Sequence, residues 1–176
     1  MMKTLVTAFK PFNNKTNNYA LEVLNYILGV DKLIIDVVYD ECYNEIISQV
    51  KIEEYDLIIA LGEARMRNEL TLELNAKNIA DCSLADNLGQ LKKNQKIIEN
   101  EIEYIETLVN VNNLKDLIKF STDAGKFVCN NLYFHLLTHC QNKALFIHIP
   151  ECNDNIENYQ KHAKTIEQII QTIGEQ

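Results

Sequence analysis

The chain has 176 residues, 47% of them hydrophobic, and carries 17 Lys and Arg against 25 Asp and Glu for a formal net charge of -8. That length suits one domain with a substantial buried core. The acidic balance argues against a nucleic-acid or acidic-membrane partner, because phosphate binding draws on clustered lysine and arginine.

Lys3 to Phe9 reads as a buried strand, followed by an asparagine-rich turn from Lys10 to Asn17 around Pro11. A helix from about Asn18 puts Tyr19, Leu21, Val23, Leu24, Ile27 and Leu28 on one broad face and ends at Gly29. Lys32 to Tyr39 is a second strand and Glu41 to Val50 a short helix. Tyr55 to Leu61 is a third strand, apolar almost throughout as strands covered on both faces are. This alternation predicts right-handed crossovers and an α/β fold: a three-layer α/β/α sandwich around a mostly parallel twisted sheet, with residues 1–176 as a single domain. Ligands of such sheets gather beyond the carboxyl ends of the strands, where Phe9 to Asn17 and Gly62 to Asn68 emerge.

Glu69 to Asn78 then alternates Leu70, Leu72 and Leu74 against Thr71, Glu73 and Asn75, so Glu73 faces away from the leucines. A polar turn at Asp86, Asn87 and Gly89 precedes Lys92 to Leu108, a charged, partly helical stretch. There Lys92, Lys93 and Lys96, followed by Glu99, Glu101, Glu103 and Glu106, read as a solvated helix face. Asn112 to Lys119 is a short helix or connector, and a helix runs from about Ala124 to His139. Ala144 to Ile149 is a buried strand with His148 near its carboxyl end and Pro150 stopping the ladder. Asn155 to Ile173 closes the chain as an amphipathic helix.

No apolar run approaches membrane-spanning length, and the start MMKTLVTAFKPF lacks a long h-region, so a cytoplasmic protein without a membrane partner is expected. The five cysteines, Cys42, Cys82, Cys129, Cys140 and Cys152, are odd in number and show no CxxC spacing. Free thiols are therefore expected over disulfides or a zinc ribbon.

Chemistry concentrates in STDAGKFVCNNLYFHLL, Ser121 to Leu137. Ser121, Thr122 and Asp123 offer N-cap oxygens for a helix starting near Ala124, which carries Cys129 about one turn in, close to the positive end of the helix dipole. A thiol there is expected to have a lowered pKa and act as a nucleophile. Its neighbours Phe127, Val128, Leu132 and Phe134 fit an inert core cysteine equally, the commoner outcome for such a segment. Glu73, Cys129 and His148 together offer a thiol, an imidazole to move its proton and a carboxylate to orient that imidazole. Read by residue type alone, His148 also fits a satisfied core position. His135 and His139 lie i, i+4 beside Cys140, but no HExxH glutamate or third ligand accompanies them, so no metal is expected.

The Ser121 segment followed by ALFIHIP resembles the nucleophile and histidine segments of the pyroglutamyl (pyrrolidone carboxylate) peptidases, SAGTFVCN and GFIHVP. VTAFKPFNN is similar to that family's VTGFEPFGG, LTLELNAKN to its ITPERVAIN, and ADNLG to its PDNAG. The matches fall in family order from Val6 to Pro150. The resemblance implies a cysteine peptidase, without cofactor, that removes an N-terminal pyroglutamyl residue from peptides. It makes Cys129 the nucleophile, His148 the general base and acid, and Glu73 the orienting carboxylate; it places Phe9, Phe12 and Val128 around the lactam ring. Family members self-associate, which extends a homo-oligomeric expectation to this chain.

Departures from the family pattern touch the pocket and its rim. Ala8 replaces a glycine, Lys10 an acidic residue, and Asn13 and Asn14 the paired glycines. GLAGGR appears as GEARMR from Gly62 to Arg67, and Ser83 stands where the family has an arginine beside its PDN turn. The segment between Asn87 and Ser121 is shorter and lacks a YFSTLP motif. These changes leave two alternatives open: a catalytically inactive or altered-specificity binding protein on the same fold, and an amide hydrolase for another N-blocked substrate.

Overall fold

The computed structural model describes residues 2–99, 102–151 and 155–176. Its main sheet has six strands in the order β2-β1-β3-β8-β4-β7: β1 Thr4–Phe9, β2 Asp31–Ile35, β3 Leu57–Ala64, β4 Thr71–Glu73, β7 Lys119–Ser121 and β8 Ala144–Pro150. β5 Asn75–Lys77 and β6 Tyr104–Glu106 form a separate antiparallel pair. β2, β1, β3 and β8 run parallel; β4 meets β8 antiparallel and pairs in parallel with β7. The expected mostly parallel α/β sheet is what the chain forms.

Alternation along the central strands sorts the side chains into two cores. Leu5, Phe9, Ile58, Ala60 and Phe146 face α2 (Glu41–Gln49) and α3 (Val128–Cys140); Val6, Ala8, Ile59, Leu61, Leu145 and Ile147 face α1 (Tyr19–Tyr26) and α4 (Ile156–Gly174). The sheet is thus covered on both faces. α1 and α4 are started by asparagines: Asn18 Oδ1 accepts from Ala20 N–H at 2.9 Å, and Asn155 Oδ1 from Glu157 N–H at 2.8 Å. Among the described residues no helix is long and apolar enough to cross a membrane.

Several local expectations are corrected. The second strand stops at Ile35 rather than Tyr39, because Asp36 leaves the ladder: its backbone N–H goes to the Glu45 carboxylate and its own carboxylate accepts from Val37 N–H. The Glu69 to Asn78 strand breaks at Leu74 into β4 and β5, which belong to different sheets. Between Lys92 and Leu108 the described residues contain no helix. Asn78 Oδ1 instead accepts from the Ile97 and Ile98 N–H groups, Ala80 bridges Gln95, and β6 occupies the end; Asn100 and Glu101 of that stretch lie outside the described residues. Of Asn112 to Lys119, the first three residues form a 3-10 turn and the last begins β7. Cys42, Cys82, Cys129 and Cys140 are free thiols; Cys152 lies outside the described residues.

Candidate active site

The carboxyl ends of β1, β3 and β8 share one edge of the sheet, and α3 begins above it. Within β3, Gly62 pairs with His148 of β8. A Cβ at Gly62 would lie 2.8 Å from Cys129 Sγ and 2.8 Å from Phe146 Cζ. Only a bare backbone lets the sulfur descend onto the strand beside the histidine. Glu73 enters from the antiparallel β4, opposite Phe146 and therefore diagonal to His148 on the same face.

There, Glu73 Oε1 is 2.7 Å from His148 Nδ1. A carboxylate only accepts, so Nδ1 carries a hydrogen, and in the neutral imidazole the lone pair is then on Nε2. Phe146 packs against the imidazole, ring centroids 5.0 Å apart, and Tyr133 Oη donates to the Glu73 carbonyl at 2.8 Å. The Glu73 side chain is wholly buried, and the cation beside it is Arg67, whose Nη2 donates to Glu73 Oε1 at 2.7 Å, Ser121 Oγ at 2.8 Å and the Asp123 carbonyl at 2.7 Å. One guanidinium nitrogen therefore ties the loop after β3 to β4 and to the segment leading into α3. The sequence places the loop of Arg67 at the ligand-gathering end of the sheet but does not single out Arg67 itself. Ser83 is exposed.

α3 starts at Val128, four residues later than expected, with Phe127 as N-cap and no side chain capping it. Ser121 and Asp123 are committed elsewhere: Ser121 Oγ accepts from Asp123 N–H, and Asp123 Oδ1 from Gly125 N–H. Gly125, at φ 79°, makes the left-handed turn back toward the helix. Cys129 is thus the second residue of α3, among N–H groups that have no partner inside the helix. Asn130 and Asn131, both fully buried, anchor this turn. Asn130 bonds the Lys77 and Ile79 backbone, and Asn131 exchanges two hydrogen bonds with Asp40.

The expected lowering of the Cys129 pKa is reversed. Burial, joined by the carboxylates of Glu73 and Glu63, pushes the thiol up to about 12, so the resting group is a neutral thiol.

Beside Cys129 lies a pocket of ≈ 40 Å³ lined by Phe9, Phe12, Asn18, Val37, Glu63, Phe127 and Val128. Phe9 and Val128 are buried, and Phe12 stands 6.0 Å from the Phe127 ring. The loop carrying Phe12 turns through Asn13 and Asn14 at φ 54° and 59°, so these asparagines take the left-handed path that glycines allow. His135 and His139 are elsewhere: both rings stack with Tyr43, at 5.3 and 5.1 Å, and His135 bonds Asp40. Among the described residues no three metal-ligating side chains gather.

A family model described as pyroglutamyl peptidase matches residues 2–174. The pyrrolidone-carboxylate peptidase of Staphylococcus saprophyticus is 34% identical, over 85% of this chain and 78% of that protein. That of Fusobacterium nucleatum is 30% identical over 89% and 81%. Among solved structures, pyroglutamyl peptidase I of Bacillus amyloliquefaciens superposes with a TM-score of 0.84 at 21% identity, covering 96% of each chain. The pyrrolidone carboxyl peptidase of Fervidobacterium islandicum gives 0.81 at 24% identity over 99% of each.

Proposed function

Because this chain belongs to the pyroglutamyl peptidase family, we propose that it is a cysteine peptidase that cleaves the amide bond after an N-terminal pyroglutamyl residue. The observation that carries the reading is the 2.7 Å carboxylate–imidazole pair on the sheet face over which the Cys129 thiol sits.

Cys129 is the nucleophile, His148 the base and acid, and Glu73 the group that orients His148. With Nδ1–H held by Glu73, His148 Nε2 takes the proton from Cys129 Sγ as the sulfur attacks the carbonyl carbon. A thiol with its pKa raised to about 12 loses that proton during attack, not before it. The tetrahedral oxyanion is stabilised by N–H groups in the uncapped first turn of α3. His148 then protonates the leaving amine, the peptide departs, and water activated by the same imidazole hydrolyses the thioester to release pyroglutamate. Phe9, Phe12 and Val128 hold the flat ring by area. The chain acts as one domain over residues 1–176, in the reducing cytoplasm that keeps thiols free, and self-associates.

Purified protein incubated with pyroglutamyl, prolyl and N-acetyl coumarin amides tests the substrate. Fluorescence is expected from the pyroglutamyl amide alone; release from the acetyl amide, or none from the pyroglutamyl one, contradicts the reading.

A further inference from the structure

The pocket beside Cys129 holds a buried charge that the chemistry above does not use. Glu63 follows Gly62 in β3, and its side chain is 1% exposed although the pocket around it is built from Phe9, Phe12, Val37 and Phe127. One carboxylate oxygen is paired with Lys15 Nζ, and the other accepts from Tyr19 N–H at 2.9 Å. Lys15 also reaches Glu151 at 3.1 Å, and Glu151 reaches Arg65 at 3.4 Å. Two acids and two bases cancel, so the site does not call for a charged ligand.

A carboxylate has about four acceptor sites, and these two donors leave acceptor capacity beside the pocket. Asn18, the other polar side chain on its wall, spends its oxygen on the Ala20 and Leu21 N–H groups and donates from Nδ2 to the Lys10 carbonyl. Apolar walls with one anionic acceptor suit a flat, neutral group that has an N–H on its edge. A ring lacking that N–H fills the same volume but leaves the acceptor without its donor.

On the reading that this pocket takes the pyroglutamyl ring, we infer that Glu63 is its specificity-determining residue, accepting the lactam N–H while Lys15 holds the carboxylate in place.

The test is protection of Cys129 from iodoacetamide, read by mass spectrometry of the Cys129 peptide, with pyrrolidinone and its N–H-free counterpart cyclopentanone as probes. In the unaltered protein, pyrrolidinone is expected to protect at a concentration on the order of 10- to 100-fold below cyclopentanone, the worth of one charge-assisted hydrogen bond. In folded Glu63→Leu the two rings should converge to within about threefold. Equal protection by both rings in the unaltered protein, or none by pyrrolidinone, overturns the inference without any variant. So does a preference that persists in Glu63→Leu. Protection needs no turnover, so ring selectivity without hydrolysis would defeat the proposed peptidase activity alone, whereas hydrolysis without ring selectivity would defeat only the role of Glu63.

Discussion

Glu73 Oε1 lies 2.7 Å from His148 Nδ1 across two antiparallel strands, and the same oxygen accepts from Arg67 Nη2, also at 2.7 Å. An acceptor at this point fixes which imidazole nitrogen is free. Glu73→Gln can donate to Nδ1 and select the wrong tautomer, so kcat should fall on the order of 10³- to 10⁴-fold with KM nearly unchanged. Steady-state kinetics on a pyroglutamyl coumarin amide measure this; an unchanged kcat would remove Glu73 from the mechanism.

Arg67 is bonded to Glu73 and to the segment before α3. Arg67→Met removes three hydrogen bonds from one nitrogen and should lower kcat about 10- to 100-fold by loosening the carboxylate, with little effect on KM. Arg67→Lys should rescue part of that loss, since it restores the charge but not the planar fork. Equal losses in kcat for both variants, with equal drops in melting temperature, would point to a purely structural role.

Gly62 is where packing and chemistry meet. In Gly62→Ala the new methyl must displace Cys129 Sγ or Phe146, each 2.8 Å from its position. Overpacking of this kind costs about 1–3 kcal/mol, and the sulfur cannot move without leaving Gly62, the residue paired with His148. Urea denaturation and kinetics on the same sample should show a modest stability loss beside a disproportionate loss of activity.

The state of the resting thiol is open to direct measurement. With the Cys129 thiol pushed up to about 12 by burial and by Glu73 and Glu63, thiolate forms only as pH rises. Alkylation of Cys129 by iodoacetamide should therefore climb about tenfold per pH unit from pH 7 to 10. A plateau beginning below pH 8 would instead reveal a preformed thiolate–imidazolium pair.

The central strands were legible because their apolar residues are buried whatever their neighbours: KTLVTAF, YDLIIAL and ALFIHI become β1, β3 and β8 within a few residues. Lys92 to Leu108 misled because its charges have helical spacing, whereas its backbone is claimed by the Asn78 side chain and a bridge to Ala80. The start of α3 was misplaced because Ser121 and Asp123, good caps by type, are held by Arg67 and by each other. Cys129, His148 and Glu73 could be named as candidates from motifs. Arg67 and Glu63 could not: nothing local shows that Arg67 joins Glu73 to Ser121, 54 residues on, or that Glu63 pairs with Lys15, 48 residues back. Gly62, which the sequence places just past the third strand, lies inside β3, where a Cβ would meet Cys129 Sγ.

The most direct test is the intact mass of the protein quenched during turnover of a pyroglutamyl amide, followed by mapping of the adduct. A pyroglutamyl acyl group on Cys129 in the unaltered protein, absent together with all hydrolysis in Cys129→Ala, is the predicted result. Hydrolysis that persists in Cys129→Ala, or an acyl group mapped to another residue, would contradict the account.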